Sequence, residues 1–102
     1  MKNEKNIKNK KAVALKYNSQ MTAPKVIAKG QGYLAEKILE TAKDSDITVY
    51  ENKELVEELE KIDLGLNIPP HLYEVVAQVL LFVSNLDKKE EYKKNAKQQA
   101  NR

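Results

Sequence analysis

Residues able to form a hydrophobic core are confined to one stretch of this chain, residues 11–86. Residues 1–10, before it, are rich in Lys and Asn, and residues 87–102, after it, are almost entirely polar. A core drawn from about 75 residues supports one small domain and not two. We therefore predict a flexible basic arm at 1–10, a folded domain at 11–86 and a polar tail at 87–102.

Charge is distributed unevenly along the chain. Residues 1–22 carry six Lys and one Glu, residues 23–84 carry six Lys and eleven acids, and residues 85–102 carry six basic and three acidic residues. The net charges of +5, −5 and +3 sum to +3, so the basic pI of about 9.0 arises at the two ends. Nucleic-acid-binding proteins usually concentrate basic residues on a folded face, so this pattern does not predict specific nucleic-acid binding. Weak attraction to phosphates or anionic lipids remains an alternative.

Several classes of site are disfavoured by composition. The chain has no Cys and a single His, His71, so no disulfide, thiolate or histidine-based metal site is predicted, and no catalytic triad. No segment reaches the roughly 18 apolar residues that a membrane span needs. The basic N-terminus lacks the apolar core of a secretory signal. We expect a cytoplasmic, non-enzymatic protein without a metal or a cofactor.

Three short segments have the composition of β-strands. Residues 12–17 are nearly all apolar, residues 25–29 follow Pro24, and residues 47–50 are β-branched and aromatic. Helical periodicity occurs over about 33–44, over 53–61, and after Pro70 as a broad apolar stripe from Leu72 to Leu86. The order strand, helix, strand predicts that 47–50 joins the sheet by a right-handed parallel crossover. The expected fold is α/β, bordering on α+β, with a three-stranded mixed sheet covered by helices.

A glycine-rich turn between the second strand and the first helix resembles a dinucleotide-binding fingerprint. Gly30, Gly32 and Ala35 have the required spacing, and Glu51 follows about 20 residues later, where a ribose-binding acid would stand. A full dinucleotide fold needs two such halves, and only one crossover is predicted here. We interpret the glycines as making a tight turn and expect no bound cofactor. Lys25 and Lys29 are interpreted as solvent-facing charges at a sheet edge.

Four motifs in one colinear order resemble the cytoplasmic domain of the FlhB/YscU family, the switch proteins of flagellar and virulence type III export machines. They are A-V-A-L-K-Y at 12–17, A-P-K-V-I-A-K-G-Q-G at 23–32, E-N at 51–52 and I-P-P-H-L-Y at 68–73. The family cleaves itself within an Asn-Pro-Thr-His tetrapeptide before the first of these motifs. Ile7 stands at the position of the cleaved Asn and no proline follows it, so the resemblance implies that self-cleavage is absent. The chain is expected to be a free-standing equivalent of the family's C-terminal fragment, without the membrane domain.

The resemblance implies a role through binding in flagellar export. It implies that Ala23, Pro24, Ala77 and Leu80 form a small apolar pocket for rod- and hook-class export substrates, although plain core packing would also explain these residues. Residues 4–9 are poor in β-formers, so we expect an open sheet edge able to accept a strand from the membrane-bound part of full-length FlhB. Other export-gate components would be neighbours, at the cytoplasmic face of the inner membrane. A competitor that binds the partners of FlhB without supporting export is the alternative.

Overall fold

The computed structural model describes residues 8–84, which divide into two compact units between Pro70 and His71. The N-terminal unit contains strands β1 (Lys11–Lys16) and β2 (Lys25–Gln31), followed by helices α1 (Tyr33–Asp44) and α2 (Lys53–Leu59). A 3-10 turn at Pro70–Leu72 stands at the boundary. Helix α3 then occupies 73–84 of the C-terminal unit.

Strands β1 and β2 form a two-stranded antiparallel sheet. Ala12 faces Gly30 and Ala14 faces Ala28, and a bulge opposite Ala14 and Leu15 leaves Ile27 without a register partner. The turn formers predicted after the first strand do make a turn, because the Met21 N–H donates to the Asn18 carbonyl at 3.0 Å. Helix α1 contacts both strands, and α2 contacts β1.

Small and branched apolar side chains fill the core. In the N-terminal unit, the buried side chains are Ala12, Ala23, Pro24, Val26, Ala35, Leu55, Leu59 and Ile68. Val26, the second residue of β2, is fully enclosed. In the C-terminal unit, Leu72 and Val76 are buried, in agreement with the predicted apolar stripe.

The prediction of a third strand at 47–50 is wrong, and with it the parallel crossover. Helix α1 ends at Asp44 with Ser45 as its C-cap, and Asp46 adopts a left-handed φ of 56°. The Ile47 N–H donates to the Ala42 carbonyl at 2.8 Å, which ties the start of this segment to the end of α1. Residues 47–50 are all exposed, so neither face of a strand there would be buried. The domain is accordingly a mixed α+β fold whose described sheet has two strands rather than three.

The place that a third strand would take beside β2 is partly filled by the loop that precedes α3. The Val26 N–H donates to the Leu66 carbonyl at 3.0 Å, and the Gly65 N–H donates to the Val26 carbonyl at 2.8 Å. Lys25 and Asn67 form an isolated antiparallel bridge. Because these bonds use the outward backbone groups of Val26, that part of the β2 edge is closed by sequence-distant residues.

Candidate functional site

The four predicted docking residues differ in how far they are exposed to solvent. Ala23 is 3% exposed and Pro24 is buried, both directly before β2 in the N-terminal unit. The Pro24 carbonyl accepts a hydrogen bond from the Ile68 N–H at 2.9 Å. Ala77 and Leu80 lie in the C-terminal unit on α3, where Ala77 is exposed and Leu80 is half-buried. Side chains of a partner could therefore touch Ala77 and Leu80 directly, whereas Ala23 and Pro24 are enclosed within the N-terminal unit.

Two exposed residues of α3 were not singled out from the sequence. Tyr73 and Leu81 are 45% and 64% exposed, and they stand one turn before and one turn after Ala77. The signal that could have identified them is their spacing of four residues on either side of Ala77, which places all three on one side of a helix. A small residue between two large apolar ones is the arrangement that receives a side chain from a partner helix.

The outer edge of β1 is a second candidate site. The Gly32 N–H donates to the Lys10 carbonyl at 2.8 Å, and alternation along the antiparallel pair then turns the backbone groups of Val13 and Leu15 away from β2. Within residues 8–84, these outward groups have no hydrogen-bond partner. Among the described residues, this part of the strand edge is unpaired, and the open edge stays a prediction. Residues 4–7, predicted to close it at most weakly, lie outside the described residues, as does Ile7 at the predicted non-cleaved position.

Two lysines fix α2 against the sheet. The Lys29 Nζ donates to the carbonyl oxygens of Glu60 at 3.0 Å and Ile62 at 2.8 Å, just beyond the C-terminus of α2. The Lys11 Nζ donates to Glu60 Oε1 at 2.8 Å. This hydrogen bond raises the pKa of Lys11 above its ordinary value of 10.5, with desolvation partly opposing it and the charges of Glu60 and Glu57 adding to it. The interpretation of Lys29 as a solvent-facing edge charge is wrong, because its ammonium group is a structural donor.

The glycine-rich turn has a conformational role. Gly32 adopts a φ of 66° as the N-cap of α1, and its carbonyl accepts from the Glu36 N–H at 3.1 Å. Gly30 has no room for a side chain, because a Cβ there would lie 2.5 Å from the Cγ of Leu34. Glu51 is exposed and does not end a strand, contrary to the dinucleotide pattern. Both glycines thus serve the passage from β2 into α1.

Within residues 8–84, no three His, Cys, Asp or Glu side chains are grouped as a metal site would require. In the same range, no helix combines the length and the apolar character needed to cross a bilayer.

Within residues 8–84, the structure is a small α+β domain with an unpaired stretch of strand edge and exposed apolar residues on its last helix, which are features through which proteins can bind one another. Comparison with known proteins identifies the family. Residues 9–83 match the model of the FlhB HrpN YscU SpaS family, and the chain belongs to that family. Membership links it to type III protein export.

Similar proteins include both short and long chains. The uncharacterized protein YlqH of Bacillus subtilis (strain 168) is 40% identical over 86 residues, which are 83% of this chain and 92% of YlqH. The flagellar biosynthetic protein FlhB of Helicobacter pylori (strain ATCC 700392 / 26695) is 40% identical over 84 residues, which are 81% of this chain. The matched region is only 24% of that FlhB, so this chain spans about a quarter of it.

Solved structures share the fold. The cytoplasmic domain of FlhB from Shewanella putrefaciens superposes with a TM-score of 0.75 at 35% identity, covering 79% of this chain and 68% of that one. The Y316D variant of the EscU C-terminal domain superposes with a TM-score of 0.67 at 34% identity, covering 71% of this chain and 89% of that one. The expectation of an FlhB-like cytoplasmic domain is confirmed.

Proposed function

We propose that this chain stands in for the C-terminal cytoplasmic part of FlhB in a flagellar type III export apparatus, where it docks export substrates and takes part in specificity switching. The observation that carries the proposal is the coincidence of the family match, residues 9–83, with the region that folds like the cytoplasmic domain of FlhB. The long relative from Helicobacter pylori is a flagellar FlhB protein, which favours the flagellar system. The chain would act at the cytoplasmic face of the inner membrane, beside other export-gate components.

The open edge of β1 supports a contact with the membrane-bound part of full-length FlhB. Strand addition satisfies the backbone groups of an edge and needs only a partner segment that can extend. Val13 and Leu15 offer such groups on the side away from β2. The partner strand would come from FlhB, and this chain would replace the fragment that continues from it.

A pull-down with the membrane-bound part of FlhB, lacking its own C-terminal fragment, tests this contact. Val13→Pro removes one outward N–H and should weaken capture, because proline is tolerated at a strand edge but cannot donate. Lys16→Pro places the same residue at a position that faces β2 by the alternation, and should unfold the sheet instead. A stable Val13→Pro variant that is captured as well as the parent would refute docking at this edge.

Exposed Ala77 and half-buried Leu80 support docking of rod- and hook-class substrates on α3, with Ala23 and Pro24 shaping the surface of the N-terminal unit. A small side chain at Ala77 leaves room for an apolar side chain of the substrate, and a carboxylate there would repel it. Ala77→Asp should therefore abolish substrate binding while the domain stays folded. Gln78→Asp, at the next exposed residue of the same helix, is the matched control. Unchanged binding by folded Ala77→Asp would reject this site.

A further inference from the structure

Two segments of the N-terminal unit have the composition of strands and carry backbone groups that are not hydrogen-bonded. Along β1, the N–H and carbonyl groups of Val13 and Leu15 point away from β2 and have no partner within residues 8–84. In the loop between α1 and α2, the backbone groups of Val49 and Glu51 likewise form no hydrogen bond to any described residue. The described sheet has two strands, fewer than the usual number of about four to six, so it has room to grow.

The loop segment, residues 47–51, is accessible to a partner. It is not a strand within one molecule, yet its β-branched and aromatic residues are those that strands favour. Ile47 and Val49 are 61% and 48% exposed, and Asn52, which follows the segment, has an extended backbone with a φ of −155°. All residues of the segment are exposed, so a partner can reach it while α1 and α2 stay folded.

Antiparallel pairing of the loop segment with β1, with Val49 opposite Val13, matches the apolar side chains and the free backbone groups. Ile47 then lies opposite Leu15, so both apolar pairs share one face. The N–H and carbonyl of Val49 meet those of Val13. The Ile47 N–H already donates to Ala42, but its carbonyl remains to accept from the Leu15 N–H.

The charges at the two ends of this pairing are also complementary. Lys11 and Lys16 flank the apolar part of β1, and Asp46 and Glu51 flank that of the loop segment at the same spacing of five residues. The antiparallel register brings Asp46 toward Lys16 and Glu51 toward Lys11. Within residues 8–84, neither Lys16 nor Asp46 has another ion-pair partner.

Other arrangements lose part of this match. A slide of two residues in one direction sets Lys11 against Lys53, and a slide of one residue sets Asp46 against Leu15. Parallel pairing could keep the opposite charges together, but it is less stable per residue than antiparallel pairing. The antiparallel register with Val49 opposite Val13 is therefore the favoured one.

We infer that residues 47–51 of one copy of this chain add as an antiparallel strand to the edge of β1 in a second copy, with Val49 opposite Val13. A second copy is the occupant because the chain itself contains both halves of the match and leaves both unpaired among its described residues. The inference goes beyond the proposed function, since it needs no export component. It has a consequence for that function, because a second copy and FlhB would compete for the same edge.

Cysteine crosslinking tests the register directly, because the chain has no Cys of its own. Opposite residues of a hydrogen-bonded antiparallel pair have Cα atoms about 5.5 Å apart, which suits a disulfide. Full-length Val13→Cys, mixed with a tagged full-length Val49→Cys in oxidised glutathione, should form a covalent heterodimer in high yield. Thr48→Cys is the matched control, because its side chain lies on the opposite face of the segment. A yield with Val49→Cys no higher than with Thr48→Cys would overturn the inference.

Sedimentation velocity of the purified full chain, from micromolar to millimolar concentrations, measures the association without a crosslink. The sedimentation coefficient of the parent should rise with concentration above that of a monomer. Val49→Pro removes an N–H that faces the partner and should weaken association about tenfold. Thr48→Pro removes an N–H that faces away and should associate like the parent, and circular dichroism verifies that both variants are folded. A parent that stays monomeric, or a Val49→Pro variant that associates as the parent does, would overturn the inference.

The same variant separates this inference from the proposed function. Val49→Pro leaves β1 unchanged, so its capture by the membrane-bound part of FlhB should equal that of the parent. Loss of self-association therefore leaves the FlhB contact intact, and failure of the FlhB pull-down leaves the sedimentation and crosslinking results unaffected.

Discussion

Gly30 shows how a single absent side chain positions the first helix. Leu34, in the first turn of α1, packs over the position that a Cβ of residue 30 would occupy, at 2.5 Å from its Cγ and 2.9 Å from its Cβ. The contact involves the root of the Leu34 side chain, so rotation of its far end cannot relieve it. The glycine is required by close approach rather than by a special backbone angle.

We predict that Gly30→Ala lowers the free energy of unfolding by about 1–3 kcal/mol, the usual cost of forcing an extra methyl group into a packed site. Urea denaturation measures it. The double variant Gly30→Ala, Leu34→Ala should recover part of the loss, because shortening Leu34 removes the atoms that collide. Equal stability of Gly30→Ala and the parent would contradict this packing.

The ion pair of Lys11 with Glu60 gives the domain a stability that depends on pH at the alkaline end. The pKa of Lys11 is raised in the folded state, so its contribution is fully present below the ordinary value of 10.5 and is lost as pH rises through the folded value. The stability difference between the parent and Lys11→Met should be constant through neutral pH and then shrink above pH 10.5. Denaturation at a series of alkaline pH values measures it. A difference that stays the same throughout would show that the pair is not formed.

At the scale of elements, the sequence predicted the helices better than the sheet. Helix α1 occupies the predicted 33–44, and α2 begins at the predicted Lys53 and ends two residues early, at Leu59. Both helices could be predicted because apolar periodicity and capping residues lie within the helical segment itself. The strand assigned to 47–50 failed because strand formation depends on a partner, and the 65–68 loop holds part of the β2 edge. The composition of residues 47–50 could not reveal that the 65–68 loop occupies this edge.

Helix α2 has only seven residues, so the interactions at its two ends contribute much of its stability. At its N-terminus, the Asn52 side chain accepts a hydrogen bond from the Leu55 N–H at 3.1 Å. Asn52→Ala should cost about 1 kcal/mol of stability, the typical value of an N-cap, whereas Asn52→Asp should retain most of it. Thermal denaturation of the two variants side by side provides the comparison. Equal melting temperatures for Asn52→Ala and the parent would argue against the cap.

The C-terminal end of α2 depends on Lys29, which donates to two carbonyl oxygens there. Lys29→Met keeps the aliphatic stem but leaves both carbonyls without their donor, so we expect a loss of about 1.5–3 kcal/mol. Lys37→Met, on an exposed position of α1, is the matched control and should change little. If both substitutions have the same small effect in chemical denaturation, Lys29 does not anchor α2.

At the scale of the whole molecule, the family could be recognised from four short motifs because they occur in one order and at one spacing along the entire domain. The docking residues could be located only in part, since a sequence does not tell a buried alanine from an exposed one. Ala23 proves to be buried and Ala77 exposed, although both are small residues in apolar surroundings. The exposure of Tyr73, Ala77 and Leu81 is likewise a property of the folded helix that their residue types do not reveal.

Complementation tests the central proposal, that this chain replaces the C-terminal part of FlhB. A flagellated strain whose FlhB lacks its C-terminal cytoplasmic region is supplied with this chain in trans, and secreted hook protein is quantified. We expect export to be restored by the parent and by Gln78→Asp, and to be lost with Ala77→Asp at equal cellular levels. No export with the folded parent chain would contradict the proposal, and binding to FlhB without export would identify a competitor instead.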